Sequence, residues 1–82
     1  MKIKYFAWLK NITEVEFEDI SNENIKDINS LKFYLAKKYP DLKKYIIEDD
    51  IIRVAINLKY SSSNQKLNSS DEIAIFPPVS GG

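Results

Sequence analysis

Residues 27–40 read DINSLKFYLAKKYP. Asp27 offers a side chain that can accept from the first free amides of a helix. Ile28, Leu31, Leu35 and Tyr39 follow at three- and four-residue spacing, with Tyr34 alongside. That spacing places one apolar stripe along a helix. Pro40 stops it, because proline disfavours helical geometry in the residue before it and carries no N–H. One amphipathic helix with one apolar stripe needs one apolar surface to cover it.

The flanking sequence supplies that surface in strands. Upstream, residues 2–9 (KIKYFAWL) alternate: Ile3, Tyr5, Ala7 and Leu9 share one side, and Lys2, Lys4, Phe6 and Trp8 the other. Residues 14–18 (EVEFE) alternate again, with Val15 and Phe17 against Glu14, Glu16 and Glu18. The short link at 10–13 suggests a hairpin, though no glycine marks its turn. Residues 21–24 are polar and loop-like. Downstream, residues 41–45 add a further helical turn and 48–50 form an acidic bend. Residues 51–58 (IIRVAINL) read as a strand with Ile52, Val54, Ile56 and Leu58 on one side. A polar turn at 61–65, a short strand near 66–67 and a second turn at 68–71 lead to a last strand at 72–76, with Ile73 and Ile75 inward.

The order is β-β-α-β-(β)-β. Strands around a lone helix indicate an α+β layer. The β-grasp, or ubiquitin-like roll, fits this order: a mixed sheet of four to five strands with one main helix packed on one face. No internal repeat or linker marks a second domain. Residues 1–76 are expected to form the β-grasp domain and residues 77–82 an extended C-terminal tail ending in Gly-Gly.

Composition then removes most chemistry. The chain has 82 residues, no cysteine and no histidine, and its only two glycines are Gly81 and Gly82. These absences exclude a disulfide framework, an ordinary zinc site, a Ser-His-Asp triad, a Cys-His dyad, a Walker loop and a dinucleotide-binding glycine fingerprint. Twelve basic residues balance twelve acidic ones, which argues against nucleic-acid binding. No apolar run approaches a membrane span, and the N-terminus lacks the long apolar core of a signal peptide, so a cytoplasmic location without membrane contact is expected. Glu14, Glu16 and Glu18 read as a solvated strand face, residues 48–50 as a solvated acidic loop, and Lys32, Lys37, Lys38, Lys43 and Lys44 as a solvated helix face. No metal site is expected.

Two features remain. Phe6, Trp8 and, by matching parity, Phe76 point away from the helix, and clustered apolar residues on an open sheet face mark a partner surface. Pro77 and Pro78 fix extended backbone and project the chain from the body. Val79 and Ser80 are small, and Gly81 and Gly82 are thin enough to enter a narrow channel of another protein. The reactive group of such a tail is the carboxylate of Gly82, a poor electrophile until activated.

Residues 71–82 (DEIAIFPPVSGG), with 3–7 (IKYFA) and 54–57 (VAIN), resemble the molybdopterin synthase small-subunit family, the sulfur carriers of molybdenum cofactor biosynthesis. The resemblance runs end to end. It implies that a ubiquitin-activating-like adenylyltransferase uses ATP to adenylate the Gly82 carboxylate and that a sulfur donor converts it to a thiocarboxylate. The tail then enters the synthase large subunit and donates sulfur to cyclic pyranopterin monophosphate, with no cofactor bound by the chain itself. It further implies a heterotetramer around a large-subunit dimer, with Phe76, Phe6 and Tyr60 at the interface. A terminal Gly-Gly is shared with thiamine-pathway and tRNA-thiolating carriers and with ubiquitin, so conjugation of Gly82 to target lysines is the alternative. A plain interaction module with incidental glycines is a third reading. The family often carries a glycine before the last strand, where this chain has Ser69 and Ser70. It also carries one in the link after the first strand, where this chain has Asn11, Ile12 and Thr13.

Overall fold

The computed structural model describes residues 1–61 and 63–78. The elements are β1 (Lys2–Tyr5), α1 (Leu9–Thr13), β2 (Phe17–Asp19), α2 (Ile28–Lys38), β3 (Arg53–Ile56), β4 (Lys59–Ser61) and β5 (Glu72–Phe76). A 3-10 turn at Pro40–Leu42 and a π-helical turn at Lys44–Glu48 follow α2. The five strands form one mixed sheet in the order β2-β1-β5-β3-β4. Its centre is the parallel pair β1 and β5, and the other neighbours are antiparallel. This is the β-grasp arrangement, with α2 across one face.

Helix α2 starts as its sequence requires. Asp27 has extended geometry (φ −151°), and its carboxylate accepts from Ser30 N at 2.8 Å. Ser30 Oγ accepts from Asp27 N at 3.0 Å, closing a reciprocal box at the helix start. Asn64 braces it further: its Oδ1 accepts from Asn29 N at 2.9 Å and its Nδ2 donates to Asp27 at 3.1 Å. Ile28, Leu31 and Leu35 are buried against Ile3, Tyr5, Val54, Ile73 and Ile75 of the sheet, and Leu42 and Ile46 from the two turns close the core.

The first strand is shorter than its alternation suggests. It ends at Tyr5, and Ala7, expected inward, is exposed with φ 54°. The expected tight hairpin link is instead the helix α1, which buries Leu9 and Thr13. A tight turn would have left both side chains outside the core. The helix ends on Glu14 in left-handed geometry (φ 65°), the position at which helices favour glycine. The turn before β5 contains no such position: Asp71 N donates to Asn68 O at 3.0 Å, and neither Ser69 nor Ser70 has positive φ. Serine therefore fits there without strain.

Strand β2 has the opposite phase to that expected. Ile3 pairs with Glu18 and Lys4 with Phe17, so Glu18 faces the helix layer and Phe17 faces outward, 53% exposed. Val15 is exposed as well. Ile20, of the same parity as Glu18, is buried and tied to Met1 by reciprocal backbone bonds of 2.9 Å, which fixes the register.

The third strand also stops early, at Ile56. Asn57 and Leu58 make the turn into β4, and Leu58, expected inward, is 94% exposed. Ser61, expected to open a polar turn, is instead the last residue of a strand, β4, that lacked any alternating signal. Near residue 66 there is only an isolated bridge between Lys66 and Asp27, with Leu67 buried.

Candidate functional site: an aromatic row at the base of the tail

Strand β5 carries the site. Ile73 and Ile75 enter the core, so Glu72, Ala74 and Phe76 lie on the open face. Phe6 is held beside the strand end because its N–H donates to Ile75 O at 3.0 Å. Phe6 and Phe76 meet edge to face with ring centroids 6.5 Å apart, and Tyr60 meets Phe76 the same way at 5.5 Å. Tyr60 stands opposite Ala55, which stands opposite Ala74, so two small side chains form the floor beside the rings. Phe6 is 45% and Tyr60 75% exposed. Two exposed aromatic rings packed on either side of a half-buried third are an unusual expense of apolar surface on one small face.

The row ends where the tail begins. Phe76 is the last residue of β5, Pro77 is half-buried and Pro78 exposed. Val79, Ser80, Gly81 and Gly82, to which sequence assigned the delivery and reactive roles, lie outside the described residues. Phe6, Tyr60 and Phe76 are therefore brought together. Trp8 is not: the turn at Ala7 redirects the chain, Trp8 becomes the N-cap of α1, and its ring packs against Tyr45 at 4.9 Å.

The face is charged on its other half. Lys4 pairs with Glu72 at 2.9 Å, and this hydrogen bond holds the Glu72 carboxyl below its usual range. Lys2 lies over the Phe17 ring, 4.8 Å from its centroid. Lys2, Lys4 and Phe17, with Tyr5, Phe6, Lys10 and Glu16, line a shallow groove of about 360 Å³. Among the described residues no cluster of acidic side chains is placed to hold a metal ion.

One polar centre was missed by sequence reading. Glu18 accepts from Tyr5 Oη at 2.7 Å and also from Tyr39 Oη and Lys38 Nζ. Burial pushes its pKa up, but the hydrogen bonds from Lys38, Tyr39 and Tyr5 outweigh it and hold the carboxyl below the usual range. Burial and the bond to Glu18 push the Tyr5 hydroxyl far above the ordinary tyrosine value, and the same causes raise Tyr39. The centre joins β2, β1 and the end of α2 on the core side of the sheet. Its signal in the sequence is the parity it shares with Ile20.

The model of the ThiS family matches residues 3–82. The molybdopterin synthase sulfur carrier subunit of Dictyostelium discoideum is 35% identical over 85 residues, covering 99% of this chain and 94% of that protein. The subunit of the same name from Escherichia coli K12 is 26% identical, covering 100% and 99%. The solution structure of small archaeal modifier protein 1 from Methanosarcina acetivorans superposes with a TM-score of 0.79 at 30% identity, over 99% of this chain and 94% of that one. A match over nearly the whole length, together with the β-grasp sheet and the aromatic row beside Pro77, establishes that this chain belongs to the ThiS family.

Proposed function

We propose that the chain is the sulfur carrier of a molybdopterin synthase, with the Gly82 carboxylate as the group that carries sulfur. The observation that carries this reading is the contact of Phe6, Tyr60 and Phe76 at the foot of Pro77. A rigid aromatic surface there gives a partner a grip on the domain next to the point where the tail departs. The relatives named as sulfur carrier subunits, matched over almost their full length, support the same reading.

In the proposed sequence, an activating enzyme joins the Gly82 carboxylate to AMP, releasing pyrophosphate from ATP. A sulfur donor displaces AMP and leaves a thiocarboxylate. The tail then enters the large subunit, where the thiocarboxylate sulfur displaces an oxygen substituent of the substrate to form a thioester. Water then cleaves the acyl–sulfur bond, so that sulfur stays on the substrate and the chain leaves with its carboxylate restored. The chain has no histidine or cysteine, so acid–base and substrate-holding groups are assigned to the large subunit. The domain contributes docking and the position of the tail; the heterotetramer and the use of Phe6, Tyr60, Phe76, Pro77 and Pro78 as contact residues belong to this proposal.

The test is reconstitution. Thiocarboxylated chain plus the large subunit from the same genome should convert cyclic pyranopterin monophosphate to molybdopterin, and a chain lacking Gly82 should not. Conversion at equal rate by the shortened chain would overturn the reading. A second reading, conjugation of Gly82 to lysines of other proteins, is favoured by the likeness to the Methanosarcina modifier at 30% identity. Gly-Gly remnants on lysines of cellular proteins, lost when Gly82 is deleted, are its signature.

A further inference from the structure

The turn between β3 and β4 is built at a conformational cost. Both of its central residues have positive φ, Asn57 at 50° and Leu58 at 71°. Two-residue hairpin turns of this hand are best served by Asn-Gly, because a Cβ in left-handed geometry crowds the following carbonyl. Asparagine stands in its favoured place, but leucine occupies the glycine position. Its side chain gains nothing from the fold in return, since Leu58 is 94% exposed.

The surrounding bonds explain why the geometry is held. Asn57 N donates to Glu72 O at 2.8 Å, Glu72 N donates to Asn57 Oδ1 at 3.0 Å, and Asn57 Nδ2 donates to Asp71 Oδ1 at 2.9 Å. Asp71 is itself buried, and its Oδ2 accepts from Asn68 N at 2.8 Å. The turn is therefore fastened to the first residues of β5, the strand whose far end carries Phe76. Leu58 is a rigidly mounted, fully exposed apolar side chain two residues before Tyr60, a member of the aromatic row.

We propose that Leu58 is an anchor for the protein that receives the tail, entering an apolar pocket of that partner as a contact additional to Tyr60 and Phe76. The occupant follows from continuity: Leu58 and Tyr60 share one hairpin, and that hairpin is bonded to the strand that ends in Phe76 and Pro77. Fixing the side chain before contact lowers the ordering cost of binding, the advantage that offsets a strained backbone. The proposal rests on the sulfur-carrier reading above.

Strain and anchoring predict opposite signs for one substitution, which makes the test sharp. The full chain, Leu58→Gly, Leu58→Asn and Phe76→Ala are each titrated calorimetrically against the molybdopterin synthase large subunit of the same genome, and their thermal unfolding is recorded. Glycine and asparagine both accept left-handed geometry, so both Leu58 variants should unfold at higher temperature yet bind about tenfold or more weakly. Wild-type affinity in the Leu58 variants with weakened Phe76→Ala would overturn the anchor and leave the carrier reading standing. Unfolding at lower temperature in both variants would assign Leu58 to the fold and overturn it as well. No binding by the unaltered chain would overturn the carrier reading and, with it, the anchor.

Discussion

Glu18 shows how one residue can serve the fold through charge. Its carboxylate takes two tyrosine hydroxyls and an ammonium where water has been largely removed. Glu18→Gln should therefore cost about 1–3 kcal/mol in urea unfolding at pH 7, since charged hydrogen bonds are lost and a less able acceptor is left among donors. The pH dependence has a definite sign. The folded pKa lies below the ordinary 4.5, so the stabilisation is present above that value and is lost as pH falls through the folded pKa. The gap between wild type and Glu18→Gln should close in acid; a gap that persisted to the acid limit would contradict the role of the charge. In base the sign reverses for Tyr5 and Tyr39, which keep their protons in the fold above pH 10, where the unfolded chain loses them. Alternation in EVEFE was legible in the sequence, but its phase was not. A glutamate on the core side is tolerable only with partners far along the chain, at residues 5, 38 and 39, and period-2 reading has no access to them.

At the level of elements, local chemistry was legible wherever it was self-contained. Asp27, the apolar stripe and Pro40 define α2 from within one segment, and Asp27→Ala should lower stability by about 0.5–2 kcal/mol, read by thermal or urea unfolding. Helix α1 was not legible, because five residues are too few to show a helical period and the alternation on either side, at 2–9 and 14–18, made the residues between read as a hairpin link. Its left-handed end at Glu14 gives a check: Glu14→Gly should raise stability by about 1 kcal/mol, whereas a loss would contradict the assigned geometry. The β3–β4 hairpin was missed for a related reason. Asn57 was a visible turn residue, but Leu58 in the place of glycine made the run IIRVAINL read as one unbroken strand.

For the whole molecule, the sheet divides the work between its faces. The inner face holds the core against α2, and the outer face carries Phe6, Tyr60 and Phe76 next to the departing tail. Phe76→Ala should leave the fold intact while weakening docking to the large subunit by about 2 kcal/mol, roughly thirtyfold in affinity, as titration calorimetry would show. Two of the three aromatics were legible from strand parity alone, because that parity is preserved from Ile3 to Phe6 and from Glu72 to Phe76. Trp8 was misplaced because one residue with positive φ, Ala7, ends the alternation before it.

The central claim concerns one functional group at the end of the tail. The most direct measurement is the intact mass of the full chain after incubation with its activating enzyme, ATP and a sulfur donor. The expected result is a gain equal to the replacement of one oxygen by sulfur, absent from a chain lacking Gly82; an unchanged mass in the full chain under conditions that activate a known carrier would contradict it.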